Sequence, residues 1–451
     1  MHRIGVLFLT VSTITPAASV FVIGSDVISQ AGTGAILAFL MAAVLCVPVA
    51  LAYAELSSAF PLTGAEYTFL GRVMGPAWGF MALGINVVGG ALSQAVTALG
   101  LAAYLGVVIE GTPALATALG AVVLSTVTAI LNIRVNALVT GLFLATELAA
   151  LAAMTALGFV HPHRSVIAAL IHPVLASPGG AISPAPLAVI GLATAGAVYA
   201  YNGFGAAVSF GEELRDAPRK IAAVILWSLV IGGVCEALPI AAVIIGAPNL
   251  ASMLGATSPA SAFIATGGAL FAKAVSLGVA AAIVNAMIAT GLSNARQLYA
   301  TGRDEVWPPI VNRALCATHP RFRSPWIATL ISGVLAAAAC LLGLRVLVIF
   351  TATGIVIIYA GVCASVLIGR RTGSTAHSQY RMPWFPWPPI LALLALTAMI
   401  AADIADPLVG RIGLAATLAV MALFAGYYWL FTRRRGGWRL RGPEGESLET
   451  P

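Results

Sequence analysis

Charged residues are scarce in this chain of 451 residues, of which they make up only 9%. An ordinary soluble domain carries about 25%. Hydrophobic residues make up 60% of the chain, and its mean hydropathy is +0.98. No stretch is both long and polar enough to form a separate soluble domain. Apolar runs of about 20 residues, the length that crosses a bilayer, recur from end to end. These features exclude a soluble globular protein and predict a single all-α polytopic membrane domain.

Cysteine and metal-ligand patterns are also missing. The five cysteines have no paired spacing, so neither a disulfide framework nor a zinc site is predicted. His161, His163 and His172 share one loop but lack helical spacing or a Cys partner, so a flexible loop fits them better than a metal site. We expect no cofactor and no metal.

The formal net charge of +7 does not indicate a nucleic-acid partner, because the basic residues lie in short loops between apolar runs. We count about twelve spans, which places both termini on one side. Most Lys and Arg fall on the same side as the termini, so the positive-inside rule predicts cytoplasmic N- and C-termini in the cell (inner) membrane. A single transmembrane domain would cover 1–432, and 433–451 would be a disordered cytoplasmic tail.

The N-terminus imitates a secretory signal peptide, with a basic start, an apolar run and small residues near Ser19. The apolar run continues to Ile28, however, and further spans follow. We therefore expect the first segment to remain as a span.

Two spans carry an interruption near mid-depth. Pro16 removes a backbone donor and pushes Thr15 away from helical angles, while the Asn202-Gly203 pair weakens the sixth span. Freed backbone groups are tolerated in a bilayer only where protein or a polar cavity satisfies them. A simple proline kink and a glycine at a tight helix contact are the alternatives.

The two interruptions lie five spans apart, the pattern of an inverted repeat with its binding site between the halves. The repeats would be 7–160 and 187–368, with two additional helices within 388–431. A helix that restarts after the first break leaves N–H groups around Ala17 to Phe21 free, which suits a carboxylate.

Three acids lie within predicted spans, where a charge is costly. Glu147, Glu236 and Asp26 are therefore candidates for coupling transport to protons, and the alternative is that each is a neutral or hydrogen-bonded structural acid. Thr290 and Ser293 lie on the eighth span, and their hydroxyls with freed carbonyls could hold Na⁺. Equally, they could bond to their own helix.

Three motifs occur in order along the chain: YAELSSAFPLTGAEYTFL, AYNGFGAAVSFGEELRDAPRKI and SNARQLYATGRDEVWP. Through these motifs the chain resembles the amino acid–polyamine–organocation (APC) permease superfamily, over essentially all twelve spans. The resemblance implies a five-plus-five inverted repeat with broken helices 1 and 6, two additional helices and alternating access.

The resemblance also implies roles for residues at the breaks. The substrate carboxylate would bind the amides of Ala17, Ala18 and Ser19. Its amino group would face Thr15, Tyr199 and Ala200. Tyr201, Asn202 and Phe204 would line or gate the side-chain pocket.

The chain departs from the superfamily pattern in three ways. The first break reads PAASVF in place of a glycine-rich segment, which puts the exact amides in doubt. Gly205 stands where many members carry an acid, which argues against a cationic substrate. The fifth span has no lysine of the kind that some proton-coupled members use.

These observations predict a permease, and not an enzyme, for amino acids or related amine-bearing carboxylates, driven by H⁺ or Na⁺ or working as an exchanger. Its partners would be a small-molecule substrate and the lipid bilayer. The alternative is a non-transporting membrane amino-acid sensor or a partner-dependent subunit with the same fold. A membrane enzyme has little support, since no set of His, Cys or paired carboxylates shares one depth.

Overall fold

Long apolar helices make up most of the structure, a computed structural model that describes residues 2–109, 111–131, 133–176, 181–407, 409–435, 438 and 440–441. Of the tail expected to be disordered, 442–451 lie outside this range. The α-helices, in chain order, are α1 Arg3–Ile14, α2 Pro16–Ala18, α3 Ser25–Ala31, α4 Ala35–Ala59, α5 Glu66–Met74, α6 Pro76–Val108, α7 Ala114–Ile130, α8 Ile133–Val160, α9 Val166–Ile171, α10 Leu187–Ala200, α11 Ala217–Gly246, α12 Leu250–Leu254, α13 Pro259–Ala265, α14 Ala269–Arg303, α15 Pro309–Leu315, α16 Trp326–Ala339, α17 Leu344–Thr372, α18 Trp387–Ala405 and α19 Gly410–Tyr427.

Nine segments of the described chain are long and apolar enough to cross a membrane. The first, Arg3–Ala59, runs through α1 to α4 and is 57 residues long. Two further apolar helices, Ala114–Ile130 and Trp326–Leu342, are shorter. The protein is therefore an all-α polytopic membrane protein.

The first helix ends at the predicted interruption. Thr15 adopts left-handed backbone angles (φ 57°, ψ 58°), and Pro16 then begins α2. The left-handed region is unfavourable for a β-branched residue, so the surrounding packing must hold Thr15 there. The turn after α2, Ser19–Gly24, is a π-helix, a form that often marks functional sites.

The sixth predicted span is also interrupted. The helix α10 ends at Ala200, and a 3₁₀ segment, Phe204–Glu213, continues the chain. Gly203 between them has φ 122°, and a Cβ built there would lie 2.8 Å from the Cα and N of Ile14. Only glycine fits this conformation and this contact, so the two breaks touch each other through backbone atoms.

The broken segments lie inside the bundle. The helix α1 packs against α8, α11, α14 and the 3₁₀ segment, and α14 also packs against α6. The four helices among these neighbours are long and apolar, so the freed backbone groups at the breaks are enclosed by protein, as the hydrocarbon environment requires.

The stretch predicted to be a flexible loop, 161–186, contains regular structure. A short helix, α9, is followed by β1 Val174–Ala176 and β2 Ile182–Pro184, which pair antiparallel with Leu175 opposite Ser183. Val174 N–H donates to Thr33 Oγ1 at 2.9 Å, which attaches the hairpin to the 3₁₀ turn Gly32–Gly34 that follows α3. The sequence did not predict this short helix and hairpin, because β1 is supported by an interaction distant in sequence.

Candidate functional site

Two adjoining cavities meet at the helix breaks. The first, which we call the break cavity, has a volume of about 40 Å³ and lies against both broken ends. The second, the adjoining cavity, has a volume of about 140 Å³. Both are lined by Thr13, Ser93, Asn202 and Thr290. The breaks therefore open onto a continuous polar region between α1, α6, α10 and α14.

Most of the predicted substrate-binding residues line the break cavity: Thr15, Ala18, Ser19, Tyr199, Ala200 and Asn202. Ser19 joins the two breaks directly. Its hydroxyl lies 3.2 Å from Ile14 O and 3.0 Å from Ala200 O, so its single hydrogen is donated to one of these carbonyls or shared between them. Its backbone N–H donates to Thr15 O at 2.9 Å. Ser19 is thus a structural link across the cavity as well as part of its wall.

Ala17 lies behind the break cavity and not in its lining. Its N–H donates to Glu147 Oε1 at 2.8 Å, and the side chains of both residues are fully buried. One of the amides predicted to bind the substrate carboxylate therefore already holds a carboxyl group of the protein. Together with the Ser19 amide, two of the three predicted amides have protein acceptors.

Tyr201 and Phe204 do not line either cavity, so the expectation that they line the pocket is not met, and a gating role stays a prediction. The Tyr201 ring packs edge-on against Phe39, with 5.7 Å between centroids. Phe204 packs against Tyr53 and Tyr359, at 5.6 and 5.7 Å. Both aromatic residues therefore support the site from behind, because Gly203 turns the chain between them.

Glu147 and Glu236 form a buried acidic pair. Both side chains are 0% exposed, and they lie close enough to interact electrostatically. Within the described residues, Glu147 Oε2 and both carboxyl oxygens of Glu236 have no hydrogen-bond partner that meets standard geometry. Asp26 is different: it is exposed and accepts a hydrogen bond from Gln30 Nε2 at 2.7 Å. Of the three candidate coupling acids, Glu147 and Glu236 are therefore buried and interact electrostatically, whereas Asp26 is exposed.

The two hydroxyls proposed for an ion site lie along the cavities. Thr290 lines both of them, and Ser293 lines the adjoining cavity. The Ser293 hydroxyl donates to Ser209 Oγ at 2.9 Å, and Gln297 Nε2 donates to the same atom at 3.2 Å. In the part of the chain that the structure describes, no group of three or more His, Cys, Asp or Glu could hold a metal ion.

A polar cluster around Glu66 was not predicted as part of the site. Glu66 is the one charged residue among the described residues that line the two cavities. Its carboxyl accepts hydrogen bonds from Tyr53 at 2.7 Å and Asn86 at 2.9 Å. Burial raises the pKa of Glu66, and these two hydrogen bonds oppose that shift. The sequence offered a signal, since Asn86 is a polar residue inside an apolar run.

An ion pair joins the 3₁₀ segment to the end of α14. Glu212 accepts hydrogen bonds from Arg303 Nη1 at 2.7 Å and Nη2 at 3.0 Å, and also from Thr63 N–H at 2.9 Å. This bidentate contact joins the 3₁₀ segment, the end of α14 and the loop before α5. Elements on both sides of the site are therefore tied together at one end of the bundle.

Comparison with known proteins identifies the class. A profile described as amino acid permease matches residues 3–428, so the chain belongs to the amino acid permease family, a family of membrane transporters and not of enzymes. The chain is 29% identical to an uncharacterized transporter of Mycobacterium tuberculosis over 348 residues, which cover 75% of this chain and 73% of that protein.

Two further relatives have named substrates. A methylthioribose transporter of Bacillus subtilis is 23% identical over 81% of this chain and 80% of its own length. Cationic amino acid transporter 4 of Mus musculus is 26% identical over 76% of this chain and 55% of its own length. Because these named substrates differ chemically, the site itself must guide the assignment of a substrate.

Proposed function

We propose that this permease moves an amino acid, or a related amine-bearing carboxylate, across the cytoplasmic membrane by alternating access. The observation that carries the proposal is that both broken helix ends line one cavity, where Ser19 links them. A helix N-terminus presents amides and a partial positive charge, while a helix C-terminus presents carbonyls and a partial negative charge. A zwitterionic substrate needs both kinds of helix end, because it carries a carboxylate and an ammonium group.

The substrate carboxylate would face the Ala18 amide at the start of the restarted helix. The amino group would face carbonyls near Thr15, Tyr199 and Ala200, which line the same cavity. Glu66 is engaged by Tyr53 and Asn86, and no other described lining residue of the two cavities is charged. This neutral lining supports a substrate whose side chain carries no charge.

We propose that the coupling ion is the proton and that Glu147 and Glu236 bind it. Among the described residues neither carboxyl has an ion-pair partner, and two such negative charges are costly to bury, so a proton on one of them stabilises the buried arrangement. Glu147 also accepts a hydrogen bond from the Ala17 amide, so a change in its protonation would act on the backbone at the first break. Sodium at Thr290 and Ser293 is the alternative, and exchange without an ion is a third mode.

For the architecture we propose twelve spans, obtained by dividing Arg3–Ala59 at Gly32–Gly34 and including the two shorter apolar helices. The inverted repeats would be 7–160 and 187–368, the additional helices 388–431, and the single domain 1–432. The Glu212–Arg303 contact would close the cytoplasmic side, where both termini lie by the positive-inside rule.

The proposal is tested by thermal stabilisation of the purified, detergent-solubilised protein with the twenty amino acids, with and without Na⁺. A ligand that binds only the folded state raises the melting temperature. We expect at least one neutral amino acid to do so in the wild type. Ala18→Val should abolish the effect by filling the break cavity, whereas Ala223→Val, the same change on the exposed face of α11, should retain it.

If none of the twenty amino acids raised the melting temperature of the folded protein, the amino-acid assignment would be contradicted. Binding without uptake in liposomes would contradict transport and favour a non-transporting sensor. The two outcomes are separated because the melting assay needs no membrane gradient.

A further inference from the structure

A third cavity lies away from the helix breaks and is larger than either cavity there. It has a volume of about 790 Å³ and is bounded by the end of α14, by α15 and by the chain after α19. Four arginines line it: Arg303, Arg313, Arg435 and Arg441. We call it the arginine cavity.

The positive charge of this cavity is only partly neutralised by protein. Two acids, Asp304 and Glu305, also line the cavity. Arg303 is held by Glu212 and lies 3.8 Å from Asp304, and the Arg441 guanidinium lies 2.8 Å from Glu305. Arg313 and Arg435 are exposed, and among the described residues neither has an ion pair within 4.0 Å. Two guanidinium groups are therefore available to an anion entering the cavity, and guanidinium is the side chain best suited to bidentate contact with phosphate.

The arginine cavity lies where the protein surface changes from apolar to basic. Trp429, Leu430 and Phe431 are 50%, 54% and 50% exposed, as expected for residues that face lipid. Thr432 and Arg435, just beyond them, line the cavity. Tryptophan at the end of a span followed by basic residues marks the membrane–water interface. The cavity therefore lies at the level of lipid headgroups.

The cavity wall includes a segment that is docked onto the body of the protein. Trp438 Nε1 donates to the Tyr67 hydroxyl, and Leu440 is only 4% exposed. Arg441 N–H donates to Asp304 Oδ1 at 3.1 Å, and the Tyr67 hydroxyl donates to Asp304 Oδ2 at 3.0 Å. Arg435 and Arg441 thus lie before and after an anchored tryptophan, so an anion held between them and Arg313 would tie the segment to α15.

We propose that the arginine cavity binds a phosphate-bearing anion, and that this anion fastens the C-terminal segment to Tyr67 and Asp304. The shared chemistry is a phosphate group between Arg313 and Arg435. Its source is either the headgroup of an anionic lipid in the adjacent leaflet or a soluble phosphate. Basic pockets between spans near the membrane surface are known to suit anionic headgroups.

The test uses the full chain in detergent, and it needs no transport activity. Melting temperature is measured during titration with short-chain phosphatidylglycerol, with phosphatidylcholine of the same chain length, and with inorganic phosphate. We expect phosphatidylglycerol to stabilise the protein and phosphatidylcholine not to. A response to inorganic phosphate alone would assign the site to a soluble anion.

Two matched double variants each remove two positive charges, one inside the arginine cavity and one outside it. Arg313→Gln/Arg435→Gln should weaken the titration at least about tenfold, since each lost guanidinium removes a charge-assisted hydrogen bond. Arg219→Gln/Arg371→Gln, which alters two exposed arginines outside the cavity, should leave it unchanged. Equal weakening by both pairs, or no stabilisation by any phosphate, would overturn the proposal.

A second readout separates binding from misfolding. Hydrogen exchange of peptides containing Tyr67 and Asp304 should slow when the anion is bound to the wild type and should not change in Arg313→Gln/Arg435→Gln. Slowing of the same size in that variant would show that the segment docks without the cavity, and would contradict the fastening role.

Discussion

The Glu147 carboxyl accepts a hydrogen bond from the Ala17 N–H at 2.8 Å, although the two residues are 130 positions apart. Ala17 belongs to the short helix that begins at Pro16, directly after the left-handed Thr15. A titratable group of α8 therefore contacts the backbone at the first break. Any change in the charge of Glu147 acts on the helix end that we assign to the substrate carboxylate.

Glu147→Gln should uncouple transport from protons. The glutamine oxygen can still accept from Ala17 N–H, but the side chain cannot release a proton. A gradient of one pH unit supplies about 1.4 kcal/mol per proton, which is about tenfold accumulation at one proton per substrate. In proteoliposomes we expect this accumulation to disappear while exchange of labelled for unlabelled substrate continues. The control Asp26→Asn, which changes an exposed acid, should keep both accumulation and exchange. If Glu147→Gln still accumulated substrate, the assignment of coupling to Glu147 would be contradicted.

Gly203→Ala should destabilise the protein. A side chain at φ 122° costs about 1–3 kcal/mol in backbone strain, and its Cβ would also press on the Ile14 backbone. We expect a clear fall in melting temperature. Gly191→Ala is the matched control, because Gly191 lies in the interior of α10 with nothing within 4 Å of an added Cβ. That change should stabilise by about 0.5–1 kcal/mol; equal effects at the two positions would contradict the close contact between the breaks.

Glu212→Gln should loosen the closed end of the bundle. The Arg303 and Glu212 side chains are 9% and 13% exposed, and removing one charge from a buried pair costs about 3–5 kcal/mol. Hydrogen exchange should accelerate in Phe204–Glu213 and in the loop before α5. Glu305→Gln removes a 61% exposed partner of Arg441 and should change stability by less than about 1 kcal/mol. Unchanged exchange in Glu212→Gln would show that other contacts keep this end closed.

Stability should depend on pH through Asp304. Burial raises the pKa of this carboxyl to about 6, against the attraction of Arg303 and hydrogen bonds from Arg441 N–H and the Tyr67 hydroxyl. The folded state then binds the proton more tightly than the unfolded state, so this group's contribution falls as pH rises from about 4 to about 6 and is constant above that. Two pKa units correspond to roughly 3 kcal/mol.

The measurement is the melting temperature across this pH range for the wild type and for Asp304→Asn. The melting temperature of the variant should fall less than that of the wild type as pH rises from about 4 to about 6, because the variant lacks the titration of Asp304. Parallel curves would show that the Asp304 pKa is close to its ordinary value and that the burial argument fails for this side chain.

Local chemistry was enough to locate the interruptions from the sequence. Pro16 restricts the backbone of Thr15, and Gly203 permits a backbone conformation that other residues avoid. In the structure, α1 ends at Ile14 and α10 ends at Ala200, close to these two residues. Ala18 and Ser19, which follow the first break in sequence, both line the break cavity. The Ser19 amide that was predicted to bind the substrate carboxylate donates to Thr15 O instead, and the role of the Ser19 hydroxyl was not predicted.

Contacts between distant residues could not be read in the same way. Nothing near Ala17 in sequence indicates Glu147, and the helical position of Tyr201 alone does not reveal that its ring faces Phe39. The hairpin at Val174 depends on Thr33, which is 141 residues away. Packing of separate helices decides these features, and a single sequence carries no direct record of it.

The central claim is that one site recognises both a carboxylate and an amino group. The most direct measurement is uptake of labelled neutral amino acids into proteoliposomes, with competition by two analogues of the transported compound. We expect the parent amino acid to compete, and its carboxamide and its deaminated acid to compete at least about tenfold less, since each leaves one helix end unpaired. Equal competition by either analogue, or transport of an uncharged thioether sugar with no amino acid accepted, would contradict the account.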